Sequence, residues 1–201
     1  MAFRWNDRAG RYIDARGRFV SFKTIRSVVD DTLAEHSQQI LSLAQQLRDG
    51  TISLERWQLQ MMAESKSVHL YSAMAQRGGW AQLTPADYGR VGQIVRREYS
   101  YILRFGRQVA SGEQRLDGTL IRRAELYVQA GRGTYHEFER VAEERKGMNE
   151  ERRRLSPADH CDDCVAHAAL GWQPIGTLPR IGDSQCLTKC QCYFEYRRVE
   201  R

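Results

Sequence analysis

The sequence predicts a mainly α-helical protein, an antiparallel helical body with an extended N-terminal arm and a small irregular C-terminal module. Three observations carry that expectation. Apolar residues recur at helical spacing from about residue 21 to residue 145. Three of the four prolines, Pro157, Pro174 and Pro179, fall after residue 156. All five cysteines lie between positions 161 and 192, with none before them. The resulting division is a basic arm over residues 1–20, a helical body over 21–146, and a linker with a cysteine-rich tail over 147–201.

The arm carries Arg4, Arg8, Arg11, Arg16 and Arg18 with two glycines and no helical period, and Ala15-Arg16-Gly17 suggests a tight turn. Ordering a residue costs ~1–2 kcal/mol, and so few apolar groups cannot offset that by burial alone. The arm is therefore expected to be ordered only on a partner.

Four helices account for the body. Ser21 is a candidate N-cap for a first helix whose inner stripe is Ile25, Val28, Val29, Leu33, Ile40, Leu43, Ala44 and Leu47, with Gly50 as its stop. Ser53 caps a second, with Trp57, Met61, Met62, Val68, Leu70, Tyr71 and Met74 apolar and Gly78-Gly79 at its end. The short connection makes these two an antiparallel hairpin. Thr84-Pro85 opens a third, since proline suits the first helical position, and it buries Val91, Ile94, Val95, Ile102, Phe105 and Val109. A fourth starts near Asp117 or Thr119. Gly131 and Gly133 are expected to kink or break it before it resumes through Tyr135, Phe138 and Val141. Residues 143–154 are almost entirely charged or polar and read as a linker or a solvated helix end.

Charge and composition narrow the function. The formal charge of +6 is dominated by arginine, and lysine occurs only at positions 23, 66, 146 and 189. Arg90, Arg97, Arg104 and Arg107 form a basic stripe on the third helix, either a solvated face or a surface for phosphate or acidic groups. No window approaches the ~18 apolar residues of a membrane span, and the first residues lack a signal-peptide core, so a soluble chain without membrane partners is expected. The chain has no phosphate-binding loop, nucleophile elbow, His-Glu-x-x-His or dinucleotide fingerprint. His69 and His136 lack a second ligand one helical turn away and read as ordinary.

The tail contains Cys161-x-x-Cys164, then Cys186-x-x-x-Cys190-x-Cys192. With no export signal, such a cluster points to a metal site before a disulfide framework. Two close cysteine groups converge on one ion, and zinc takes four such ligands in a tetrahedral shell. The segment between them is rich in Gly and Pro turns, and its apolar residues Leu170, Trp172, Ile175, Leu178 and Ile181 make a core too small to fold without a staple. Spacing favours Cys161, Cys164 and Cys186 with either Cys190 or Cys192, and His160 and His167 are alternates. Free thiols or a disulfide remain the competing reading. Asp162 and Asp163 supply carboxylates a catalytic zinc would use, but five thiols favour a closed, structural site.

Cys161-Asp162-Asp163-Cys164, Gly171-Trp172-Gln173-Pro174-Ile175-Gly176-Thr177-Leu178-Pro179 and the closing Cys186-Leu187-Thr188-Lys189-Cys190-Gln191-Cys192 resemble the C-terminal part of minor head or head morphogenesis proteins of tailed bacteriophages, the Mu F-like group. The group's closing Asn-Cys-Arg-Cys here reads Lys189-Cys190-Gln191-Cys192, and its preceding His-Pro is missing. The arm, from Arg11-Tyr12 to Gly17-Arg18-Phe19-Val20, also looks like those of such virion proteins. The resemblance implies a non-enzymatic virion protein acting in head assembly, made in the host cytoplasm, with portal, capsid or other virion proteins, or further copies of itself, as partners. Some members carry ADP-ribosyltransferase or peptidase-like domains, and this helical body lacks the strands those need. The alternative is a DNA-binding module acting in packaging through the Arg-rich helix and a zinc knuckle.

Overall fold

The structure is a computed structural model in which residues 3–200 are described. It is mainly helical, and the chain divides into two compact units, Met1–Gly131 and Arg132–Arg201. The boundary falls inside the fourth helix rather than in the charged segment beyond it. No helix among the described residues is long and apolar enough to cross a membrane.

The first unit holds helices α1 (Phe22–Arg48), α2 (Leu54–Arg77), α3 (Pro85–Ala110) and the first half of α4 (Gly118–Arg145). Their starts follow the capping chemistry of the sequence. Ser21 Oγ accepts from Thr24 N and Ser53 Oγ from Arg56 N, while Thr84 and Asp87 form a reciprocal capping box. Gly78 ends α2 in the left-handed conformation, at φ 97°. α2 is central and packs on both α1 and α3. Trp57 meets Phe105 edge-on with centroids 5.0 Å apart, and Phe105 stacks on Tyr127 at 6.2 Å. Ile40, Met61, Ile102 and Leu120 fill the same interior. His69 is also buried there, and burial pulls its pKa down to about 4.

The arm does not wait for a partner. Strands β1 (Arg4–Asn6) and β2 (Arg11–Ile13) pair antiparallel, and Tyr12 and Ile13 are buried. Trp5 packs edge-on against Tyr12 at 5.2 Å, and the Tyr12 hydroxyl donates to Ala75 O on α2 at 2.8 Å. A Cβ at Gly78 would collide with the Trp5 ring. The expectation failed because it counted apolar residues without a docking surface: three aromatic and aliphatic side chains suffice once α2 supplies the other wall. The expected turn is present, with Gly17 at φ 78° and Asp14 bonded across it to Arg18.

α4 is continuous, so its glycines do not break it. They answer a need for space. A Cβ at Gly131 would run into Val68 of α2 and Leu33 of α1, and one at Gly133 would lie 2.8 Å from Ile181 O.

In the second unit, β3 (Glu150–Arg154) is the middle strand of an antiparallel sheet ordered β4-β3-β5, with β4 at Gln173–Pro174 and β5 at Tyr193–Arg197. Of the charged run 143–154, read as a linker or a solvated helix end, the first three residues close α4 and the last five form the central strand. Its residues alternate, with Glu151 and Arg153 buried and Glu150, Arg152 and Arg154 on the other face. A strand this charged can be central because four of its five charges, all but Arg153, are paired with opposite ones. Arg140 of α4 grips Glu151 with two hydrogen bonds of 2.8 and 3.0 Å, Leu178 N donates to the same carboxylate, and Arg140 also reaches Leu178 O. On the opposite face Arg152 pairs with Glu195 and Arg197 with Glu150, and both guanidinium groups stack on Trp172.

Candidate metal centre

The short helix α5 (Asp162–Ala169) supplies the first cysteine pair. Cys161 is its N-cap residue and Cys164 lies in its first turn, so one turn of helix turns both thiols to the same side. The second group surrounds a single 3-10 turn, Leu187–Lys189, preceded by Cys186 and followed by Cys190. Lys189 N donates to Cys186 O and Cys190 N to Leu187 O, closing the loop tightly. Leu187 sits at φ 49°, a left-handed conformation unusual for a branched side chain. Cys192 lies one residue before β5.

These segments bring all five expected cysteines together. Cys161, Cys164 and Cys186 form one trio and Cys164, Cys190 and Cys192 another, with the sulfurs of each trio within 4.8 Å of one another. Cys164 belongs to both. Its Sγ is 3.6 Å from Cys186 Sγ and 3.6 Å from Cys190 Sγ. Zn–S bonds of 2.3 Å in a tetrahedron place sulfurs ~3.8 Å apart, so these separations suit ligands of one ion. They are far longer than the ~2.05 Å of a disulfide bond, and all five cysteines are free. Leu178, Ile181 and Phe194 pack around Cys164, Cys190 and Cys192 as a miniature core. The cluster could hold a metal ion.

The electrostatics agree with that use. Without a cation, thiols this close cannot all ionise. Burial, with the neighbouring sulfurs, pushes the Cys186 and Cys192 thiols well above their ordinary range. Burial acts in the same sense on Cys190, but hydrogen bonds from the Cys192 backbone and the adjacent cysteines outweigh it and lower that thiol. A divalent ion would favour the thiolate throughout.

Of the two alternates, His160 lies beside the cluster and His167 outside it. His160 Nδ1 is 3.6 Å from Cys192 Sγ, and its Nε2 donates to Ser156 O at 2.7 Å. His167 is not among the grouped donors. Asp163 accepts from Gln185 N at 2.9 Å, and Asp162 is exposed. Away from the tail, Arg97, Arg104 and Arg107 are exposed and Arg90 is half-buried, while His136, read as lacking a second ligand one turn away, does meet a carboxylate there, Glu139, at 3.0 Å.

Sequence reasoning missed Arg153, whose NH1 lies 3.7 Å from Cys164 Sγ and 3.9 Å from Cys190 Sγ. Its signal was the two-residue alternation within Glu150-Glu151-Arg152-Arg153-Arg154, hidden because every position there is charged. The chain matches no family model, no curated protein and no solved structure.

Proposed function

We propose that this chain is a structural and assembly protein of a tailed-phage particle, a minor head or portal-proximal protein whose C-terminal module is knit by one zinc ion. The observation that carries the reading is the cluster of five cysteines, set in the Gly/Pro-rich frame that resembles the closing motif of phage head morphogenesis proteins. Zinc suits an all-thiolate set best, since soft sulfur ligands in tetrahedral array favour it over magnesium, calcium or manganese. The ion's role is structural. Cys164, Cys190 and Cys192 are buried, and Asp163, one of the two neighbouring carboxylates, accepts from Gln185 N. The protein acts by docking on portal, capsid or further copies of itself, not by catalysis, and ends in the virion after assembly in the host cytoplasm.

Purified particles test this. The protein should co-purify with heads in a fixed copy number, and particles lacking its gene should fail at the head stage. Its absence from mature heads, combined with normal assembly in the deletion, overturns the reading. The DNA-binding alternative draws on the exposed Arg97, Arg104 and Arg107 of α3. It requires duplex affinity that falls by about 0.9 log unit per log unit of salt for each phosphate neutralised. No salt-sensitive binding at low ionic strength removes it.

A further inference from the structure

Arg153 is 1 % exposed, a cation in the interior of a small module. Its NH2 donates to Pro179 O and, at 3.2 Å, to Arg180 O, and its NH1 lies 3.3 Å from Ser184 Oγ. NH1 also faces Cys164 Sγ and Cys190 Sγ, and the guanidinium lies 5.4 Å from the Phe194 ring centroid. None of these partners is a carboxylate. Glu151, two residues away on the same face of β3, is taken by Arg140.

A buried guanidinium is costly unless an anion faces it. Carbonyls and a hydroxyl satisfy only part of its N–H groups, Nε–H having no acceptor among the described residues, and neither they nor the ring supplies a countercharge. The remaining groups in reach are the sulfurs, which are neutral as thiols and negative as metal-bound thiolates. Four thiolates around a divalent ion leave the site with a net charge of −2, which one arginine partly offsets. The same side chain joins the pieces of the module: Cys164 is on α5, Pro179, Arg180 and Ser184 belong to the segment leading to Cys186, and Cys190 follows the 3-10 turn.

Resting on the reading that the cysteines hold a metal ion, we propose that Arg153 is a positioning residue of that site. It donates N–H···S hydrogen bonds to the thiolates of Cys164 and Cys190 and supplies the buried positive charge that balances them. Outer partners of this kind orient the ligands, and losing one typically lowers metal affinity by about 10–100-fold.

The test uses the full chain, prepared reduced and anaerobically, loaded with zinc or cobalt(II). Metal content of the wild type comes first, and a chain that binds no ion overturns the metal reading and this proposal with it. If one ion binds, chelator competition compares the wild type with Arg153→Met and Arg153→Lys. We expect Arg153→Met to bind about 10–100-fold more weakly and Arg153→Lys to recover part of that loss, since it restores the charge but not the fork. The thiolate-to-cobalt absorption bands should shift in both variants, because removing an N–H···S bond changes the sulfur's donor strength, which a purely structural role would not do. Should Arg153→Met fail to fold, the affinity and band position of Arg153→Lys decide. Wild-type affinity and an unshifted cobalt spectrum in the folded variants overturn the assignment of Arg153 while leaving the metal reading intact.

Discussion

At the residue scale, the ion pair of Glu151 in β3 and the carboxyl of Glu98 in α3 make opposite predictions about removing charge. Glu151 is fully buried, and burial pushes its carboxyl above the ordinary range despite the opposing Arg140. Glu151→Gln leaves Arg140 charged with no anion and should cost about 3–5 kcal/mol in chemical denaturation. Replacing both partners together, as Glu151→Leu with Arg140→Met, should cost less, because nothing charged is stranded. Glu98 behaves otherwise. Burial raises its pKa from 4.5 to about 7, with Arg97 only partly opposing. The folded chain keeps that proton up to about pH 7 while the unfolded chain releases it near 4.5, so stability falls as pH rises across that interval. Glu98→Gln should therefore raise stability at pH 8 by an amount on the order of 3 kcal/mol and change little at pH 4, as thermal melts at the two pH values would show.

At the element scale, α4 and the N-terminal hairpin show contacts overriding local preference. Alanine is a better helix former than glycine by about 1 kcal/mol, yet a Cβ at Gly131 would run into Val68 and Leu33. Overpacking costs about 1–3 kcal/mol, so Gly131→Ala should destabilise the first unit, and a stabilised variant would show the crowding is relieved at no cost. In the hairpin, Tyr12 carries both the ring packed on Trp5 and the hydroxyl bonded to Ala75 O. Tyr12→Phe should lose about 1 kcal/mol and hasten tryptic cleavage at Arg11, which lies in β2. Equal cleavage rates at Arg11 in wild type and variant would mean that the hydroxyl does not hold the strand.

At the scale of the whole molecule, the two units have different sources of stability. The first has a core of large side chains, Trp57, Phe105, Met61 and Ile102 among them. Around the cysteines of the second, by contrast, the buried apolar residues among those described are Leu178, Ile181 and Phe194. Metal coordination should supply the folding energy of the cysteine segment, as it does in zinc-finger peptides. A strong chelator, or Cys161→Ser with Cys164→Ser, should make residues 155–192 sensitive to protease while most of the far-UV helical signal persists. A chelated chain that keeps this segment protected would show the sheet and the Arg140–Glu151 pair hold it unaided.

The four long helices and the cysteine grouping are legible in the chain alone, because both depend on near neighbours, whereas α5 in the tail is not. Ser21, Ser53 and Thr84 cap the residues that follow them, the 3.6-residue period marks the buried stripes, and two close-set cysteine groups flank a turn-rich segment. Only the tertiary structure decided the rest. Whether Glu150–Arg154 is a linker or a central strand turns on Arg140 and the Cys164 and Cys190 sulfurs, up to 37 residues away along the chain. Whether Gly131 breaks a helix or admits a neighbour turns on Val68 and Leu33. Burial of a charge or loss of a Cβ is favourable only when its partner is in place, and a partner brought in by folding leaves no mark on the local pattern.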